Sequence, residues 1–271
     1  MNLTVISELL LIISFIIIFA EIILNVIIKI SKNNFQWLIT TSDEKPQLSP
    51  EGLQKFLPVG YNSILGWVRK PNTKNFEYGK NGKTYWSIDK YGARTNSEYE
   101  NFSSLISCYG DSFTFCRQVN DYETWEVSLS KYLKSNVLKF GVGNYGIDQA
   151  LLRLKLEYNK HPTKIVVMGV VPDTISRIHS MWKHYSEYGN TFGFKPRFIY
   201  KNKKLELLNN PIDSESKFQE YEKYLEYIRQ NDYFYQKKFK KEKISFPFIV
   251  SIWKNFPRTF YIIFWVLKNN Y

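Results

Sequence analysis

From Leu9 to Ile28 the chain is apolar at every position except Ser14, Glu21 and Asn25. Twenty such residues in a helix rise about 30 Å, enough to cross the hydrocarbon core of a bilayer. The pattern predicts a single transmembrane helix over residues 1–32, kept in the mature chain because the run exceeds a signal-peptide core and no small-residue cleavage site follows. Glu21 and Asn25 lie four residues apart and share one helical face, which points either to a partner helix or to a protonated carboxyl near one end of the span. Between residues 33 and 57 apolar periodicity lapses and SDEKPQLSP carries two prolines, so a linker is expected. From Leu65 aromatic and polar residues alternate around GKNG, which predicts a β-hairpin within a small β appendage over residues 58–100.

The next region alternates strand and helix. SLISC (104–108) reads as a strand, residues 122–134 as a helix with Trp125, Leu129 and Leu133 on one face, and NVLKF (136–140) as a second strand. Asp148 caps or opens a helix running through Tyr158. KIVVMGVV (164–171) is a continuous β-branched run, expected to be buried on both faces. This order predicts an α/β domain over residues 101–271 with a parallel sheet, the second and third strands flanking the first. Loops 109–116, 141–147 and 172–180 then converge at the carboxyl ends of the strands, where such sheets bind ligands. Further on, RFIYKNKKLELL predicts a hairpin turning near Lys201–Lys203, and residues 215–243 a long charged helix. The apolar runs in 246–267 predict helices covering the sheet, with interfacial membrane contact also open to them.

At 271 residues, 44% hydrophobic and 23% charged, the chain has room for one main domain plus an anchor. The net charge of +12 includes five lysines within KKFKKEK (237–243). Placed just before an apolar stretch, they fit a membrane surface better than a nucleic-acid groove, and no nucleic-acid motif accompanies them. Cys108 and Cys116 alone build neither a disulfide framework nor a paired-cysteine metal site, so no metal or cofactor is expected. Lys29 and Lys32 follow the span while the N-terminal tail holds only Glu8, which leans toward a cytoplasmic main domain.

The turn YGDSF sets Ser112 directly after a buried strand and at a helix start, where its hydroxyl can attack an ester and backbone N–H groups can hold an oxyanion. A simple helix cap is the alternative, since Asp and Ser are both capping residues. GDSFTF, GVGNYGIDQALLRL and KIVVMGVVPD, with LGWVRKPN and YWSIDKYGAR upstream, resemble the SGNH (GDSL-type) hydrolase superfamily, in particular its membrane-anchored bacterial members, across roughly residues 60–210. The resemblance implies a three-layer, flavodoxin-like domain. It makes Ser112 the nucleophile with Asp111 beside it, and puts Asn144, next to Gly143, in the oxyanion hole. Asp173 stands where the superfamily carries an asparagine, and the C-terminal DxxH block is absent, so either the chain is truncated or another base serves. His161 precedes the third strand, at the wrong end of the sheet. His179 and His184 follow it, with His179 the candidate base and a structural role in ISRIHSMWKHY the alternative for both. The activity implied is that of an esterase or acyltransferase on acyl esters of cell-envelope glycans or lipids, on the envelope side of the membrane. The competing expectation is a catalytically incomplete relative that binds a glycan or a protein partner in the same cleft.

Overall fold

The computed structural model describes residues 3–35, 38–79 and 82–269. The chain folds as two compact units, one from residues 1–47 with 234–271 and the other from residues 48–233. Residues 234–271, expected within the sheet domain, therefore belong with the N-terminal helix. That helix, α1 (Leu3–Asn34), is long and apolar enough over Leu3–Lys32 to cross a membrane by length and composition. Its last turn is tied down by Lys32, whose Nζ donates to Leu38 O (2.6 Å) and to the Asp43 carboxylate (2.8 Å). Leu38 and Ile39 are buried, so the stretch expected as a linker packs into the unit at these residues. The polar cluster was misleading because Asp43 and Thr40 satisfy the backbone of a short 3-10 turn, Thr41–Glu44.

In the second unit α2 (Pro50–Val59) opens on Ser49, whose hydroxyl accepts from Gly52 N–H. It leads into a short antiparallel pair, β1 (Tyr61–Asn62) and β2 (Gly66–Trp67), then the hairpin β3 (Lys74–Gly79) and β4 (Gly82–Ser87). Gly79 faces Gly82 across that hairpin, while Lys80 and Asn81 of the GKNG turn lie outside the described residues. The 58–100 stretch is no appendage. Leu65 and Ala93 are buried in one core with Tyr109, Phe140 and Tyr145, and Trp67 packs against it.

The sheet comprises β5 (Ser104–Tyr109), β6 (Asn136–Lys139) and β7 (Ile165–Met168), connected through α3 (Ser112–Phe115), α4 (Trp125–Leu133) and α5 (Ile147–Glu157). Its order is β6-β5-β7 and both pairings are parallel, as the alternation of elements predicts. β7 departs from expectation. Ile165 and Val166 are 47% and 36% exposed, because the strand sits at an edge and its apolar run does not by itself supply a cover. α4 packs Leu129 and Leu133 against the core formed by Ile106, Cys108 and Val137, while Trp125 of the same spacing is exposed and Glu126, Val127 and Ser130 are buried as well. α5 is capped by Gly146, whose N–H donates to the Gln149 side chain. Asp148 sits in the first turn and spends its carboxylate on the buried Lys195 Nζ at 2.6 Å.

Beyond the sheet come α6 (Pro172–Ser176), α7 (Lys183–Ser186) and the hairpin β8 (Arg197–Lys201) with β9 (Lys204–Leu208). Asn202 and Lys203 both have positive φ, as a two-residue hairpin turn requires. The long helix expected over 215–243 does not form. Two 3-10 turns precede α8 (Leu225–Asn231), and the chain then breaks at Asp232. The buried Asp232 carboxylate accepts from Ser180 Oγ and from the N–H groups of Met181 and Trp182, and that long-range demand overrides local helix propensity.

The first unit resumes with a π-helical turn (Tyr235–Phe239) running into α9 (Lys240–Glu242). It ends in α10 (Phe248–Asn269), one helix through Pro257. Ile28, Leu38 and Ile244 form its small core, with Phe248 and Ile252 packed against them. α10 thus belongs to the anchor's unit and not to the unit that holds the sheet.

Candidate functional site

Each of the three strands runs into a glycine: Gly110 directly after β5, Gly169 directly after β7, and Gly141 after β6 with Phe140 between. A Cβ on Gly110 or on Gly169 would fall 2.1 Å from Thr114 Oγ1, and one on Gly141 would fall 2.5 Å from Phe115 N. The short helix α3 is therefore seated directly on the three strand ends, with the buried Thr114 wedged among them. The loops are stitched there by Val142 N–H to Gly110 O (3.0 Å) and Gly169 N–H to Tyr109 O (2.8 Å). Ser112 is the first residue of α3, so this seat fixes it beyond the carboxyl end of the central strand, at the convergence of loops expected from sequence.

Asp111 caps α3 by accepting from Phe113 N–H at 3.0 Å, and its other carboxylate oxygen faces Arg177 Nη1 at 3.2 Å. The same Nη1 donates to Tyr145 O at 3.2 Å. Arg177 thus joins all three loops, coming from the third and binding the first and second. Arg94, almost fully buried, holds the far side of the turn. Its Nε pairs with Asp121 at 2.7 Å, and its other nitrogens donate to Phe115 O, Cys116 O and Val119 O. Both residues escaped sequence reasoning. Arg94 ends the quoted YGAR stretch and Arg177 lies two residues before His179, but nothing in either spacing says which loop the guanidinium reaches.

Ser112 is half-buried. Among the described residues nothing hydrogen-bonds its hydroxyl, and nothing accepts from the backbone N–H of Ser112, Gly143 or Asn144. Asn144 takes the left-handed conformation, φ 68°, which asparagine tolerates better than most residues. It lines a cavity of about 400 Å³ together with Trp67, Trp86, Phe192, Arg117 and Lys183. Ser112 lines a neighbouring hollow that shares Arg117 with the first. Four cations (Arg69, Lys74, Arg117 and Lys183) and no carboxylate line the larger cavity. Glu77 pairs with both arginines and Glu187 with Lys183. Burial lowers the Lys183 ammonium, an effect that Glu187 opposes.

Asp173 and His179 line neither hollow. Asp173 is exposed in α6, and His179 is exposed with its ring 5.6 Å from that of Tyr233. The third loop therefore presents a cation, Arg177, to the Ser112 turn instead of the carboxylate of Asp173. His184 is buried between Trp182 and Tyr188 and accepts from Gly189 N–H, a structural placement. His161 stacks on Phe140 and lies tilted against Tyr91.

The upstream LGWVRKPN segment docks on the second loop. Trp67 Nε1 donates to Gly143 O at 3.0 Å, and Tyr145 OH donates to Trp67 O at 2.6 Å. Gln149 Nε2 reaches Leu65 O at 2.7 Å. The carbonyl of Gly143 is thereby held, which sets the adjoining peptide whose N–H belongs to Asn144. Compared with known proteins, the chain matches no protein-family profile and no curated protein sequence.

Proposed function

We propose that the chain is a membrane-tethered SGNH-type serine esterase or O-acyltransferase acting on acyl esters of cell-envelope glycans or lipids, on the envelope side. One observation carries this reading. Ser112 stands at the end of the central parallel strand with an unengaged hydroxyl, while the neighbouring Asp111 is turned away onto Phe113 N–H and Arg177. A nucleophile must be fixed yet uncommitted, and this serine is both. The open N–H groups of Ser112, Gly143 and Asn144 are the donors that would hold the oxyanion as the acyl carbonyl becomes tetrahedral. Tryptophans and cations in the adjoining cavity support a glycan acceptor, the rings stacking on sugar faces and the cations meeting acidic substituents. His179 takes the base role in this reading. It lies two residues from Arg177, which touches the residue before the nucleophile, and catalytic hydrogen bonds often close only in the complex.

A second reading, a catalytically incomplete protein that binds a glycan in the same cavity, is favoured by the lack of any histidine hydrogen-bonded to Ser112 among the described residues. A serine-directed phosphonate separates the two. The expected result is covalent labelling of the full chain at Ser112, lost in Ser112→Ala together with a fall in acyl-ester hydrolysis on the order of a thousandfold or more. Absence of labelling in the wild type, with saturable glycan binding retained, would establish the second reading.

A further inference from the structure

Helix α10 keeps most of its aromatic residues out of its own unit's core. Its inward side carries Phe248 and Ile252 together with Ser251, Asn255, Arg258 and Thr259, all half-buried or buried, while Ile249, Trp253, Phe256, Phe260 and Phe264 are exposed. Those five are spaced by four, three, four and four residues, so they form one continuous stripe along the helix. Trp253 alone is 80% exposed. The polar side is satisfied within its own unit: Asn255 Nδ2 donates to Ser251 O, Ser251 Oγ to Lys243 O, and Arg258 pairs with Glu242 at 3.0 Å. A helix facing water rarely exposes so continuous an apolar stripe.

The start of α10 is also fixed in depth. Glu21 of α1 accepts from the N–H groups of Phe248 (2.6 Å) and Ile249 (2.9 Å), the first two residues of α10. Glu21 lies seven residues before Ile28, about 10 Å inside the apolar run along the helix axis. A carboxyl group there is costly alone, and so are the open N–H groups of a helix start in hydrocarbon. Each removes the cost of the other, since a helix N-terminus is electropositive and its N–H groups seek an acceptor. Just before this entry, Lys237, Lys238, Lys240 and Lys241 are exposed, placed for the head-group region.

The geometry points to α10 as a second membrane element, embedded from the Glu21 level outward with its aromatic stripe against lipid acyl chains. This rests on α1 being the membrane anchor of the proposed function. The full chain is reconstituted in vesicles whose lipids carry bromine on the acyl chains, and tryptophan quenching is compared with that in unbrominated vesicles. Trp253→Phe and Trp265→Phe should each remove a lipid-quenched component, Trp265 being the exposed residue that follows Phe264 at the end of the stripe. If neither variant reduces lipid quenching, and these two tryptophans respond instead to aqueous iodide, α10 lies outside the bilayer. If they respond to neither quencher, the stripe is covered by protein and the proposal fails equally. Alkaline carbonate extraction of the same sample separates this from failure of the anchor: a chain that stays with the membrane while Trp253 and Trp265 remain unquenched by lipid retains α1 and loses only the α10 proposal.

Discussion

At the scale of single residues, the Ser112 turn depends on Arg177, a positioning residue that contacts no reacting group. Its partner Asp111 is 2% exposed, so removing the guanidinium leaves a buried carboxylate without its counter-charge. Arg177→Ala is expected to cost about 3 kcal/mol in denaturant unfolding. If Ser112 is the nucleophile, it should also slow phosphonate labelling there, with partial rescue by Arg177→Lys. Lys139 gives a pH signature. Burial lowers its ammonium to about 8 from 10.5, despite Glu126 nearby. Below pH 8 both folded and unfolded chains hold that proton, and between 8 and 10.5 only the unfolded chain does. The Lys139 contribution to stability therefore rises with pH across that window, by about 3 kcal/mol at most. The stability gap between wild type and Lys139→Met, followed by urea unfolding at several pH values, should widen in the wild type's favour from pH 8 to 10.5; a flat gap would mean an ordinary lysine.

At the scale of elements, α3 is held by absence of side chains beneath it. Gly141→Ala would drive a methyl group into the backbone of Thr114 and Phe115, both contacts at 2.5 Å. Overpacking of this kind costs about 1–3 kcal/mol. Gly143→Ala, where a Cβ meets nothing within 4 Å, should be close to neutral in the same thermal-denaturation series. Equal effects at the two positions would mean that α3 moves freely and that the seat does not fix Ser112. The buried pair of Lys195 and Asp148 plays a matching part for the second and third loops, since Lys195 Nζ also donates to Arg177 O and Ser180 O.

For the whole molecule, α1 and α10 make different demands on a membrane. α1 is apolar around most of its surface, whereas α10 has one apolar stripe. Deleting residues 3–32 should convert carbonate-resistant association into association that carbonate releases, read by sedimentation of membranes. Release of the full-length chain under the same conditions would remove α1 as an anchor. The lysines ahead of α10 add a salt-sensitive component for anionic vesicles, which the deleted chain should retain.

The features legible in the amino-acid sequence are those written in short-range periodicity. The apolar run of α1, the parallel order β6-β5-β7, the β3–β4 and β8–β9 hairpins and the location of Ser112 at a strand-to-helix turn all follow from residues close to one another along the chain. What failed shared a physical cause. The segment over 215–243 is broken because Asp232 satisfies three groups some fifty residues away, and no local propensity records such a demand. The edge exposure of β7 and the exposure of Trp125 on α4 depend on which neighbours cover them. Arg177 and Arg94 acquire their roles only when loops distant in sequence meet. Asp173, the nearest match to the superfamily's asparagine, gives way to Arg177 at the Ser112 turn for that reason. In α10 the apolar runs predict helices from sequence alone, and on the one continuous helix that forms their aromatic residues align in a stripe. Whether that stripe looks into a core or out of one was decided by the tertiary structure, where Glu21 takes the first N–H groups of the helix and Phe248, Ile252 and the polar residues turn inward.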